Sequence, residues 1–145
     1  MSPTIQVAII SAAGSLIAVA ITFILNKRAE RRDSLHLRIL NHYKELLSAI
    51  SDLAVDDVDK EEANKQFAKA VNTIALVAPQ YVIDALMEYH KEIAPSNQNR
   101  TLANHDNKLR ILVLAIRRNL GLPFKDNPDT FNFHLIGSKS PKYIP

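Results

Sequence analysis

The sequence predicts an all-α protein with a single N-terminal transmembrane helix, a small cytosolic helical bundle and a short extended C-terminal tail. Three observations carry this expectation. Ile5 to Leu25 contains no charged residue, apolar side chains then recur at spacings of three and four, and only three glycines punctuate 145 residues. Residues 1–32 form the membrane helix and its basic edge, and residues 33–145 form one cytosolic α-helical ligand-binding domain, since about 115 residues suffice for one core and not comfortably for two.

The opening run, IQVAIISAAGSLIAVAITFIL, makes a helix of roughly 31 Å at about 1.5 Å per residue, close to the hydrocarbon thickness of a bilayer. A secretory signal would carry a basic n-region and a shorter apolar stretch, and MSPT has no basic side chain. The cluster Lys27, Arg28, Arg31 and Arg32 lies wholly on the C-terminal side. The positive-inside rule therefore predicts a single-pass anchor with the N-terminus outside and the C-terminal domain cytoplasmic. Within the run, steps of four and three from Thr4 reach Ala8, Ser11, Ser15, Ala18 and Thr22. Such a stripe lets helices approach closely in lipid and predicts a packing face for self-association. The alternative is that the hydroxyls bond back to their own helix.

The same count continues through Leu25, Ala29, Arg32, His36, Ile39, Tyr43, Leu46, Ile50 and Leu53. The stripe turns apolar beyond the basic cluster, as expected for a helix leaving lipid and entering an aqueous bundle, so one rod from Ile5 to about Leu53 is predicted. AVDDVDKEE then supplies a break and a helix start, with Asp57 or Asp59 as cap and Glu61 and Glu62 near the positive end of the helix dipole. Ala63, Phe67, Ala70, Ile74 and Val77 repeat at helical spacing. Pro79 ends that helix and is expected in the first turn of the next, whose face is Val82, Leu86, Tyr89 and Ile93.

Ala94 to Asn107 reads as one long polar loop. KLRILVLAIRRNLGLP follows. Its run Ile111 to Ile116 is apolar on every side, which predicts either central burial or a second face covered in a subunit contact, and Gly121 and Pro123 form its stop signal. In the tail, Phe131, Phe133 and Leu135 alternate with Asn132, His134 and Ile136, the pattern of an extended segment laid on the bundle. Gly137, Ser138 and Lys139 close it with a donor-rich turn.

Composition excludes several chemistries. Without cysteine there is no disulfide, thiolate ligand or Cys nucleophile, and three glycines leave no phosphate-cradling Gly-rich loop. The five histidines are scattered. Even His36 and His42, six apart, do not share a helical face, so neither a metal nor a cofactor is expected. No hydrolase or metallopeptidase motif occurs, and the expectation is a non-enzymatic protein.

Charge is divided along the chain. Asp33 to Ala94 carries −5 and Arg100 to Pro145 carries +5. The basic third either attracts phosphates or neutralises the acidic helices beside it. As ligand-binding candidates, Arg100, His105, Lys108, Arg110, Arg117, Arg118 and Lys139 offer donors suited to phosphate. In a symmetric homo-oligomer, a tetramer for example, identical residues from several chains would meet a cyclic ligand with repeated phosphates. Tyr43, Tyr81, Tyr89, Phe131 and Phe133 either stack on bases or serve the core. Duplex nucleic acid is not expected, because the cations form no dense recognition helix.

The layout resembles the membrane-anchored ancillary effectors of type III CRISPR antiviral defence, in their small form lacking a Rossmann-like sensor domain. The segments that carry the resemblance are NKRAERR, KLRILVLAIRRNLG and FNFHLIGSK. It implies a cytosolic oligomer that binds cyclic oligoadenylate, cyclic tetra-adenylate in particular, and disrupts the membrane. The candidate binding residues come from charge and placement, not from the resemblance. The other readings are a membrane-tethered helical adaptor or scaffold docking a protein partner, and a holin-like toxin.

Overall fold

Four helices organise the chain in the order α1 (Pro3–Ala54), α2 (Lys60–Ile74), α3 (Gln80–Ile93) and α4 (Leu102–Asn119), and no strand occurs among the described residues. The structure, a computed structural model, describes residues 3–55, 58–122 and 126–135, the side chains of residues 3–16 excepted. The chain divides into two compact units, residues 1–38 and 39–145.

In the first unit every described side chain from Ile17 to Arg38 is exposed, including Ile17, Val19, Ile21, Phe23, Ile24, Leu25, Leu35 and Leu37. Lys27 Nζ lies 5.7 Å from the centre of the Phe23 ring, a cation held over an aromatic face. The Thr22 hydroxyl donates to the Ala18 carbonyl at 2.8 Å, so this hydroxyl of the small-residue stripe bonds back to its own helix. Ala8, Ser11 and Ser15 lie outside the described side chains. Among the described residues no helix is long and apolar enough to cross a membrane. Much of the expected span, Ile5 to Leu16, falls outside the side chains described.

In the second unit the apolar stripe of α1 becomes core. Tyr43, Leu46, Ala49 and Ile50 are buried, with Ile39, Leu47 and Leu53 partly buried beside them. They join Phe67, Ala70 and Ile74 of α2, Val82, Ala85, Leu86 and Tyr89 of α3, and Leu109, Leu112, Val113 and Ile116 of α4. No polar or charged residue belongs to this buried set among the described residues. Hydrophobic burial therefore holds it, at about 1.5–3 kcal/mol for each fully buried large aliphatic side chain.

Caps set the helix limits. The Asp59 carboxylate accepts from the Glu61 N–H at 2.9 Å, opening α2 where the acidic start predicted it. Lys60 Nζ reaches back to the Leu53 and Val55 carbonyls at 2.8 and 2.5 Å and satisfies acceptors at the C-terminal end of α1. α2 stops at Ile74, so Val77 lies in the following turn and is exposed rather than continuing the buried face. Pro79 is the N-cap of α3, not a residue of its first turn. Its extended backbone, φ −69° and ψ 157°, aims its carbonyl at the Val82 and Ile83 N–H groups.

The expected loop from Ala94 to Asn107 is shorter than its composition indicated, because α4 begins at Leu102. Thr101 supplies the cap, its hydroxyl accepting from the Asn104 N–H at 3.1 Å. At the other end, Gly121 adopts φ +64°. The Gly121 N–H bonds the Arg118 carbonyl at 3.1 Å and the Leu122 N–H bonds the Arg117 carbonyl at 3.0 Å, a Schellman closure. Beyond it, Phe131, Phe133 and Leu135 are partly buried against the core, while Asn132 and His134 are exposed. Over residues 131–135 the alternation predicted for the tail is present without a partner strand among the described residues, whereas Ile136 and the turn of Gly137, Ser138 and Lys139 lie outside them.

Candidate functional site

The apolar run of α4 serves two faces. Leu112, Val113 and Ile116 enter the core, whereas Ile111, Leu114, Ala115 and Arg118 line an open groove of about 620 Å³. Tyr81 and Ala85 of α3 form a second wall, and among the described residues of the following loop Gly121, Leu122, Asp126 and Pro128 also line it. Ile111 is 41% exposed, Tyr81 38% and Leu122 45%, so large apolar groups face outward here. A mostly apolar concavity with few polar groups is the usual character of a binding site.

The charged residues at the groove differ in how they are engaged. Arg117 clasps Asp126 through Nε and Nη2, at 2.7 and 3.1 Å, and its guanidinium carbon lies 5.5 Å from the centre of the Phe131 ring. This two-point hydrogen bond holds the Asp126 carboxyl below the usual carboxylate range and raises Arg117 further. Arg118 instead stands over Tyr81, with its guanidinium carbon 5.1 Å from the ring centre, and has no carboxylate partner among the described residues. Stacking on an aromatic face leaves the edge donors of a guanidinium available.

The remaining candidate cations lie elsewhere on the domain. Lys108 Nζ meets Glu88 of α3 at 3.1 Å, and Lys91 meets the other Glu88 oxygen at 2.7 Å. The hydrogen bond from Lys91 first, and then that from Lys108, lowers the Glu88 carboxyl. Arg110 donates to the Pro128 carbonyl, to Asn107 Oδ1 at 2.8 Å and to the Phe131 carbonyl at 3.5 Å, tying the tail to α4. His105 is bracketed, Nε2 lying 3.2 Å from the Tyr89 hydroxyl and Nδ1 3.2 Å from Asp106 Oδ1. Burial first, and then the nearby Asp106 charge, pushes the Tyr89 hydroxyl up to about 12.

The structure therefore does not gather the seven candidates. Arg118 lines the large groove, Arg110 a recess beside Phe131 and Phe133, and Arg100 and His105 a third recess with Glu92 and Thr101. Lys139 lies outside the described residues. Among the described residues no group of three or more His, Asp or Glu is placed to hold a metal. Reading charge along the sequence missed the aliphatic lining of the groove. The signal available was the run Ile111 to Ile116, too apolar for a helix with only one covered side.

Comparison with protein families, with curated proteins and with solved structures returns no match to this chain.

Proposed function

We propose that this chain is a single-pass, membrane-anchored, non-enzymatic adaptor of the bacterial inner membrane, whose cytoplasmic helical domain docks a partner protein in the α3–α4 groove. One observation carries the reading: among the described residues, the α3–α4 groove is lined mainly by aliphatic side chains and holds one arginine without a carboxylate partner. Lys108, Arg110 and Arg117, which would serve a phosphate ligand, are occupied by acceptors of the chain itself. The exposed aliphatic side chains from Ile17 to Leu25, followed by Lys27, Arg28, Arg31 and Arg32, support the anchor.

The test is site-specific photo-cross-linking in intact cells from a photoreactive residue at Ala115. A discrete adduct is expected that disappears with Leu114→Asp and survives replacement of Ile5 to Leu25 by an unrelated apolar span. No adduct, or one that needs the native span, defeats the adaptor reading.

A second reading is favoured by the Arg118–Tyr81 pair, because an aromatic face beside a guanidinium suits a base and its phosphate. In it the chain is an antiphage effector whose homo-oligomer binds cyclic oligoadenylate, cyclic tetra-adenylate in particular, and perturbs the bilayer. Titrating the full chain in lipid nanodiscs with cyclic tri-, tetra- and hexa-adenylate decides it. Micromolar or tighter binding that is weakened by Arg118→Glu supports this reading, and no binding to any ring size removes it.

A further inference from the structure

Ile111, Leu114, Ala115 and Arg118 stand at positions i, i+3, i+4 and i+7 of α4, and Tyr81 and Ala85 at i and i+4 of α3. These are the spacings at which side chains form the ridges and grooves of a helix surface, so the site has the relief that receives another helix. Its apolar lining favours an aliphatic stripe. The charge at its end is specific: Asp126 is matched by Arg117, which leaves Arg118 as the uncompensated charge of the groove among the described residues. The guanidinium is already placed by Tyr81, so a partner would gain a charge-assisted hydrogen bond without first ordering that side chain.

We infer that the groove receives an amphipathic helix of another protein, with aliphatic residues at i, i+3 or i+4, and i+7, and an Asp or Glu that pairs with Arg118. This inference rests on the adaptor reading and names the chemistry of its partner. A lysine or arginine at the same position of that helix would face Arg118 and be rejected, so one charge supplies both attraction and discrimination.

The experiment is selection of a displayed library of fifteen-residue helical peptides on the full chain in nanodiscs, with counter-selection on Ala115→Trp, which fills the groove. Circular dichroism confirms that each variant keeps its helix content. Enriched peptides are expected to carry the aliphatic spacing with Asp or Glu at one fixed position. A representative peptide should bind at least tenfold more tightly than its Lys counterpart. Arg118→Gln should abolish that preference and Arg118→Glu should reverse it. Groove-dependent enrichment that ignores charge overturns the inference and leaves the adaptor reading standing. The absence of any enrichment that Ala115→Trp removes overturns both.

Discussion

Asn119 Nδ2 donates to the Tyr43 hydroxyl at 2.6 Å, joining the C-terminal end of α4 to the buried stretch of α1 across seventy-six positions of sequence. Tyr43 is 1% exposed, so its hydroxyl has little access to solvent as a substitute partner. Burial raises the pKa of this phenol, and the bond from Asn119 offsets part of that rise. Tyr43→Phe is expected to lower stability by about 1 kcal/mol, with the urea m-value unchanged. A variant as stable as the parent would show that the bond contributes nothing net.

The Arg117–Asp126 clasp predicts an acid response. The Asp126 carboxyl is depressed when folded, so its contribution is present above the ordinary carboxylate range and is lost as pH falls through the folded value. Glu88, lowered by Lys91 and Lys108, acts with the same sign. Urea midpoints of the parent should therefore fall between about pH 5 and pH 2, and the double variant Asp126→Asn with Glu88→Gln should show a shallower fall. Equal slopes would mean that other carboxylates set the acid limit.

Tyr89 predicts the opposite limb. Its hydroxyl is raised from 10.0 to about 12, so the stability it confers is complete below pH 10 and declines as pH rises towards 12. The loss over that window is roughly 2–3 kcal/mol, with Tyr43 adding a smaller contribution of the same sign. Tyr89→Phe should flatten this alkaline decline. At neutral pH it should cost about 1 kcal/mol, because His105 loses a hydrogen-bond partner. Denaturant titrations at pH 8, 10 and 11 would show both effects.

Gly121 offers a backbone test. A Cβ built there meets nothing within 4 Å, so the cost of Gly121→Ala is conformational, from φ +64°, and not steric contact with neighbours. We expect a loss of about 1 kcal/mol, and less for Gly121→Asn, which tolerates the left-handed region better. Thermal unfolding of the two variants side by side measures the difference.

The buried face of α1 was legible because Tyr43, Leu46 and Ile50 keep strict helical spacing, and α2 because Asp59 and the two glutamates mark its start. The beginning of α4 was not. NRTLANHDN is polar throughout apart from Leu102 and Ala103, and a threonine cap outweighs that composition at the point where the chain turns into helix. The candidate site was half legible. Arg118 was visible as a cation, but nothing in a linear charge pattern reveals that Arg117 is neutralised by Asp126 while its neighbour rests on Tyr81. Such sorting depends on which way each side chain leaves the helix.

The described side chains before Ile39 contribute none to the buried core, although α1 runs unbroken from Pro3 to Ala54. A continuous helix would then contain two classes of amide. Those of the stretch that carries Tyr43, Leu46 and Ile50 would exchange with solvent deuterium only when the bundle opens as a whole. In detergent-free water, a fragment beginning a few residues before Ile39 would show fast, local exchange at its leading end and slow, cooperative exchange beyond it, so the boundary between the two units would be read as a step in protection along a single helix.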